Sequence, residues 1–253
     1  MHPLLEALFN LIFPTRPGCQ LCGGPGAEAV CGHCQEWLAR WAGQPKCLVC
    51  GRPLTGRDRG PKCRECYRQR PPFVLARAAG PYEGPLKQAV HRLKYFGQKS
   101  LAPVLAELML QAIQRQPQML AAEVVLPVPI SPGRLRRRGF NQAELLAREV
   151  ARGLGLPLLS RVLVKHVETP PQTGLTGVQR RQNLQGSFKV TAPGELKDKK
   201  ILLLDDVFTT GSTVSVIADL LRQQGAGEIF VITLVNTGNQ KSFTKIMPMD
   251  ANN

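Results

Sequence analysis

No stretch of the chain approaches the roughly 18–20 consecutive apolar residues that a membrane span requires, which excludes an integral helical membrane protein. The N-terminus has neither a basic n-region nor a small-residue cleavage site, so a secretory leader is not expected and the cytoplasm is the expected compartment. Cysteine is absent beyond residue 66. Acidic side chains are few: 18 Asp and Glu stand against 33 Lys and Arg, a net charge of +15. That excess points to a polyanionic partner or substrate, whether nucleic acid, polyphosphate or pyrophosphate. Global disorder is excluded, because 43% of the residues are hydrophobic and only 20% are charged. A length of 253 residues suits one full-sized globular unit with a smaller attachment.

The positive charge is concentrated. Residues 1–75 carry a net +5, residues 76–190 a net +11 and residues 191–253 a net −1. Anion recognition should therefore draw on the middle of the chain.

All eight cysteines fall in four C-x-x-C pairs: Cys19/Cys22, Cys31/Cys34, Cys47/Cys50 and Cys63/Cys66. Two-residue spacing turns both thiolates of a knuckle towards one tetrahedral metal, for which Zn²⁺ is the usual occupant with four sulfur ligands. Gly23 and Gly51 follow second cysteines, where a knuckle turn often needs positive φ. The gaps read as two similar halves, so Cys19, Cys22, Cys31 and Cys34 are expected to hold one zinc ion and Cys47, Cys50, Cys63 and Cys66 a second. A disulfide framework needs a secreted context, and a redox pair normally comes singly. His33 is a bystander where four sulfurs already complete the site. A tract this rich in Gly and Pro buries little core, so metal should supply its folding free energy. Zinc ribbons bind nucleic acid, bind protein or brace a neighbour, and spacing does not choose among them. Trp37 and Trp41, one helical turn apart, read as the packing face of a helix rather than a base-stacking platform.

Three regions follow: residues 1–70, with a short amphipathic helix marked by Leu4, Leu5, Leu8, Phe9 and Ile12 ahead of the double zinc ribbon; residues 71–240, a larger domain; and residues 241–253, a patternless, disordered tail. Strand patterns at 73–80, 124–128, 201–204 and 229–234 alternate with helical ones at 86–95, 101–115, 142–153 and 213–224. That alternation predicts an α/β fold with a parallel, doubly wound sheet. A basic loop is expected after the strand ending at Val128, and a long polar loop around 168–187.

The stretch Ile201-Leu202-Leu203-Leu204-Asp205-Asp206-Val207-Phe208-Thr209-Thr210-Gly211-Ser212-Thr213 is the most informative. An apolar strand delivers two carboxylates to its carboxyl end, where open α/β sheets place ligands. A small, hydroxyl-rich turn then leads into a helix, whose N–H groups make a phosphate cradle. Two acids beside an anion site need another partner: vicinal sugar hydroxyls, or a Mg²⁺ shared with them. A strand, an Asp N-cap and a helix would explain the shape, though not both acids together with the TTGST composition.

This segment resembles the 5-phosphoribosyl-1-pyrophosphate (PRPP) signature of type I phosphoribosyltransferases. Joined to a double zinc ribbon, the chain resembles the ComF family, which includes ComFC and GntX-type proteins. Leu93-Lys94-Tyr95-Phe96-Gly97, Pro127-Val128-Pro129 with Arg136-Arg137-Arg138-Gly139-Phe140-Asn141-Gln142, and Gln172-Thr173-Gly174-Leu175 with Arg180, Arg181, Asn183 and Gly186-Ser187-Phe188 resemble its other elements. The likeness covers about residues 19 to 235. It implies a type I phosphoribosyltransferase fold that binds PRPP or a related ribose phosphate with Mg²⁺. Asp205 and Asp206 would contact the ribose hydroxyls, and Thr209, Thr210, Gly211, Ser212 and Thr213 the 5′-phosphate. Lys94, Arg137 and Arg138 would serve pyrophosphate, making Asp205, Asp206, Lys94 and Arg138 the expected catalytic set. Gln172, Arg180, Arg181 and Asn183 would belong to a loop closing over the site.

The resemblance also implies a role in natural competence, with single-stranded DNA and competence proteins as partners. Arg134, Arg136 and Arg137 are then candidates for DNA contact, although a pyrophosphate site needs cations too, and Lys94 alone could be an ordinary exposed helix lysine. Three functions stay open: an enzyme passing the phosphoribosyl group to an unidentified acceptor, a DNA-handling accessory, and a silent PRPP-sensing module. No nucleobase-recognition element is evident after the signature.

Overall fold

A computed structural model describes residues 18–58, 60–168 and 183–238. The expected helix near the N-terminus, the loop residues Gln172, Arg180 and Arg181, and residues 241–253 lie outside the described residues.

The apolar runs become a four-stranded parallel sheet. β1 (Leu75–Pro81), β2 (Val124–Pro127), β5 (Ile201–Phe208) and β6 (Ile229–Asn236) lie in the order β1-β6-β5-β2. A separate antiparallel pair is formed by β3 (Leu163–Lys165) and β4 (Phe188–Val190). The central strands are apolar on both faces because both are covered, as parallel sheets require.

The two faces sort the rest of the chain. Leu202, Leu204, Phe230 and Ile232 pack with α3 (Gly84–Tyr95), α4 (Ala102–Gln114), α6 (Gln142–Leu154) and the first cysteine cluster. Ile201, Leu203, Ile229 and Val231 pack on the other side with α7 (Ser212–Gln223), the β3–β4 pair and the second cluster. Alternation along β5 therefore fixes where its later residues point. Helix starts and stops follow local chemistry. Asn141 caps α6 by accepting the Ala143 N–H at 3.1 Å, and Gly155 ends it in the left-handed region at φ +66°.

Two expectations need correction, and one element is additional. The basic segment after Val128 is not a loop throughout: Pro132–Arg138 forms a helix, α5, with Pro at its start and Gly139 at φ +78° as its stop. β5 does not end at Leu204 but runs through both acids to Phe208, because Asp205, Val207 and Phe208 pair with β6. The β3–β4 pair, which no sequence pattern announces, brackets the expected 168–187 loop.

The small N-terminal region is packed onto this sheet. α1 (Gly32–Ala42) buries Trp37 and Trp41, so both indoles serve packing, as expected. Leu38 and Leu86 close on Gly80 of β1, leaving no room there for a Cβ. Arg92 of α3 donates to the carbonyls of Gln20 and Leu21 in the first knuckle. Arg77 of β1 donates to the Leu48 carbonyl in the second at 3.2 Å. Gly23 and Gly51 have φ of +76° and +67°, the conformation expected of knuckle turns.

Candidate functional site

The four knuckles pair as their spacing predicts. Sulfur atoms of Cys19, Cys22, Cys31 and Cys34 lie within 4.8 Å of one another, and so do those of Cys47, Cys50, Cys63 and Cys66. Individual Sγ–Sγ separations are 3.7 Å for Cys19–Cys34, 3.8 Å for Cys22–Cys31 and 3.6 Å for Cys50–Cys63. A tetrahedron with Zn–S bonds of about 2.3 Å has edges of about 3.8 Å, whereas a disulfide needs about 2.05 Å. Both tetrads fit Zn²⁺. The Gly24 and Cys31 N–H groups approach Cys22 and Cys19 Sγ at 3.4 Å, the direction of donation a thiolate ligand wants.

The larger site is a cleft of about 1410 Å³ at the carboxyl end of β5. Asp205, Asp206, Thr209 and Thr213 line it together with Lys94, Arg134, Arg137, Arg138, Gln142 and Lys165. Strand alternation separates the two acids. Asp206 sits on the Leu202/Leu204 side, where it forms an ion pair with Lys94 and accepts from Gln142 Nε2 at 3.4 Å. Asp205 sits on the opposite side, and its Oδ1 accepts the Asp206 N–H at 2.8 Å.

Their protonation preferences diverge. Burial pushes both carboxyls up, but for Asp206 the Lys94 ammonium and the hydrogen bonds around it win, leaving its pKa below the usual range. For Asp205 burial comes first and the Asp206 charge adds to it, so its pKa lies well above the usual range. The same partnership raises Lys94: burial disfavours its charge, and the Asp206 carboxylate overcomes that. Lys94 is no exposed helix lysine; its side chain is only 16% exposed.

Gln142 is the joint of a wider network. Its Oε1 accepts from Arg138, its Nε2 reaches Asp206, and Arg138 also lies 5.7 Å over the Tyr95 ring. α5 distributes the arginines: Arg134, Arg137 and Arg138 face the cleft, while Arg136 is exposed elsewhere. Asn183 lies at the edge of the described residues, its carbonyl accepting from Ser187 Oγ at 3.4 Å.

The turn between β5 and α7 is tightly built. Thr210 and Ser212 hydroxyls bond at 2.7 Å, Thr210 Oγ1 also accepts the Ser212 N–H at 3.4 Å, and the N-cap residue Gly211 has no side chain to close the start of α7. A helix start of this kind suits an anion. Gly211 adopts φ +77°, and a Cβ there would come within 2.6 Å of the Phe208 ring. Gly97 also has positive φ, at +63°, but open space around it. Gly211→Ala is therefore expected to cost about 1–3 kcal/mol, and Gly97→Ala no more than about 1 kcal/mol. Parallel thermal melts of the two variants check this; equal losses would mean that the Phe208 contact is not limiting.

Sequence reasoning missed Lys165. It is buried on β3, lies 5.4 Å from the Phe188 ring centre and lines the cleft. Burial, then Arg134, lowers its pKa, while Glu168 and Asp205 pull it back up. Glu168 went unassigned too: it accepts from Ser131 Oγ at 2.8 Å and from the Gly133 N–H at 2.6 Å, tying the chain after β3 to the start of α5. Tyr95 and Phe96 are exposed at the cleft mouth, Phe96 by 76%.

A parallel sheet covered on both faces, a strand–acid–acid–turn–helix junction in a cationic cleft and two cysteine tetrads together define a phosphoribosyltransferase fold carrying a double zinc ribbon. Residues 136–249 match the family described as Phosphoribosyl transferase domain, and residues 8–67 match Double zinc ribbon domain. Competence protein F of Haemophilus influenzae is 34% identical over 81% of this chain and 89% of that protein. DNA utilization protein YhgH of Salmonella typhi is 34% identical over 88% of this chain and 99% of that protein. Among solved structures, glutamine PRPP amidotransferase from B. subtilis matches 53% of this chain and 26% of that chain, at 21% identity and a TM-score of 0.36. The chain belongs to the ComF family. Among the described residues, no helix is long and apolar enough to cross a membrane.

Proposed function

We propose that the cleft binds PRPP, or a related ribose phosphate, with Mg²⁺, and that the protein works in DNA uptake and utilisation in the cytoplasm. The observation that carries this reading is the placing of Asp205, Asp206 and the hydroxyl-rich turn into α7 in one cleft lined by five cationic side chains. The turn from Thr209 to Thr213 would hold the 5′-phosphate through its N–H groups and hydroxyls. Asp205 would accept from the ribose hydroxyls. Arg134, Arg137, Arg138 and Lys165 would hold the pyrophosphate, and Lys94 would keep Asp206 ionised beside it.

A Mg²⁺ ion fits the oxygen donors here, because Asp205 lines the cleft and, among the described residues, forms no ion pair, whereas Asp206 is already paired with Lys94. When bound, Mg²⁺ would supply charge neutralisation on the pyrophosphate. If turnover occurs, the C1–O bond to pyrophosphate breaks as an acceptor bonds to C1, and the cationic wall receives the departing charge. The role in DNA handling rests on the relatives named Competence protein F and DNA utilization protein YhgH. Single-stranded DNA and competence proteins are the partners this role entails, and the tetrads would hold two structural zinc ions.

Calorimetric titration with PRPP and Mg²⁺ tests the site. Asp205→Asn is expected to weaken binding roughly 10- to 100-fold, the range of a lost charge-assisted hydrogen bond. A proton competes with both hydroxyls and Mg²⁺ for Asp205. Its raised pKa means that, as pH is lowered, wild-type affinity should begin to fall before an ordinary carboxylate would protonate, while the Asn variant stays flatter. Unchanged affinity in Asp205→Asn would overturn the assignment. Release of pyrophosphate with a supplied acceptor would separate an enzyme from a sensor.

A further inference from the structure

The second ribbon has a surface that the cleft does not use. α2 (Arg64–Arg68) follows the Cys63 knuckle, and its one-turn spacing puts Arg64 and Arg68 on one face. Together with Arg57, Asp58 and Tyr67 they line a pocket of about 420 Å³ that shares no residue with the cleft. The acids nearby are spent internally. Asp58 accepts the Thr55 N–H at 2.8 Å, the Thr55 hydroxyl at 2.9 Å and the Arg64 N–H at 3.1 Å. Glu65 pairs with Arg52 at 3.1 Å. What remains outward is cationic, with Arg57, Arg64 and Arg68 all exposed.

Tyr67 stands among these guanidiniums and is 56% exposed. Its orientation is set from two sides: the Lys62 ammonium lies 5.9 Å from the ring centre, and a Cβ on Gly60 would approach its hydroxyl to 3.0 Å. A large aromatic ring held open in a ring of arginines is unnecessary for folding a ribbon whose packing already comes from its buried cysteines and Val49. It does suit a polymer with a negative backbone and flat, unpaired rings, because every base offers a stacking face and every linkage a phosphate. A duplex would offer the phosphates but keep its bases stacked on one another.

We propose that this face of the second ribbon binds single-stranded DNA, with Arg57, Arg64 and Arg68 on backbone phosphates and Tyr67 stacked on a base. The proposal gives a surface to the DNA-handling role proposed above and rests on it. It makes the ribbon a DNA contact as well as a brace, separate from the ribose phosphate site.

Fluorescence anisotropy with a labelled oligo-dT of twenty nucleotides tests it on the zinc-loaded protein. Arg64→Ala with Arg68→Ala should weaken binding and reduce the slope of log affinity against log salt by about 1.4, two contacts at roughly 0.7 each. Tyr67→Ala should weaken it by roughly 5- to 100-fold, and Tyr67→Trp should restore most of the loss. An unchanged zinc content of the variants guards against a misfolded ribbon. A duplex of equal length should bind with no dependence on Tyr67. If the ribbon variants bind oligo-dT like wild type while Arg134→Ala with Arg137→Ala does not, the ribbon assignment is overturned and the DNA role survives in the cleft. If wild type does not bind oligo-dT, the ribbon assignment and the DNA role fall together.

Discussion

Asp206→Asn is expected to destabilise the fold by about 3–5 kcal/mol, because it leaves the Lys94 ammonium buried without its counter-charge. Asp205→Asn, one residue away, should be close to neutral or stabilising, since burial already opposes that carboxylate's charge. Urea unfolding at pH 7 measures both. The sign of the pH dependence follows from the lowered pKa of Asp206: its contribution is complete above the unfolded carboxylate pKa of about 3.9 and disappears as pH falls through the lower folded value. The deficit of Asp206→Asn should therefore shrink in acid. Lys94→Met combined with Asp206→Asn should recover part of the loss, because no unpaired charge then remains. Equal losses in the two single Asn variants would refute the division of labour between these acids.

Removal of metal is expected to be larger still. Structural Zn²⁺ contributes about 10–16 kcal/mol to small sulfur sites, comparable with the whole stability of an ordinary domain at about 5–15 kcal/mol. Here the effect should not stop at the ribbon. Cys47, Cys50, Cys63 and Cys66 pack in one apolar cluster with Phe73, Ala76 and Phe208. Phe73 and Phe208 meet edge to face with centroids 6.5 Å apart, and Phe208 backs onto Gly211 of the turn leading into α7. On the other face Arg92 joins the first knuckle to the helix that carries Lys94. Chelation, or Cys63→Ser, should thus weaken PRPP binding as well as lower the melting temperature. Calorimetric melts with and without chelator, followed by titration with PRPP, check this. Two independent transitions with ligand affinity intact would show that the ribbons are thermodynamically separate.

Much of this architecture is legible in the chain because it rests on periodicity and spacing. Leu86, Ala89, Val90 and Leu93 announce one helix face, the run from Ile201 to Leu204 announces a central strand, and the cysteine gaps announce their own pairing. What stays hidden is what depends on meetings across the chain. Lys94 and Asp206 are each marked by the resemblance, but their ion pair needs α3 and β5 brought to one face before it can be seen. The sorting of Arg134, Arg137 and Arg138 from Arg136 needs α5, whose signals, Pro132 and Gly139, are masked by the basic run between them. β3 is three residues long, too short to show a period, so Lys165 carries no sequence mark. Strand alternation would have separated Asp205 from Asp206, had β5 been expected to continue past Leu204.

A four-stranded sheet has two outer strands, here β1 and β2, whose unpaired backbone groups would ordinarily invite another chain. Neither is left bare. The Ala76 N–H of β1 donates to the Val49 carbonyl of the second knuckle at 2.7 Å. On β2, Val125 exchanges hydrogen bonds with Pro157 and Leu159 at 2.9 Å. The second cysteine knuckle is therefore also a guard of the β1 edge against strand-to-strand self-association, and whatever loosens the knuckle is expected to expose that edge.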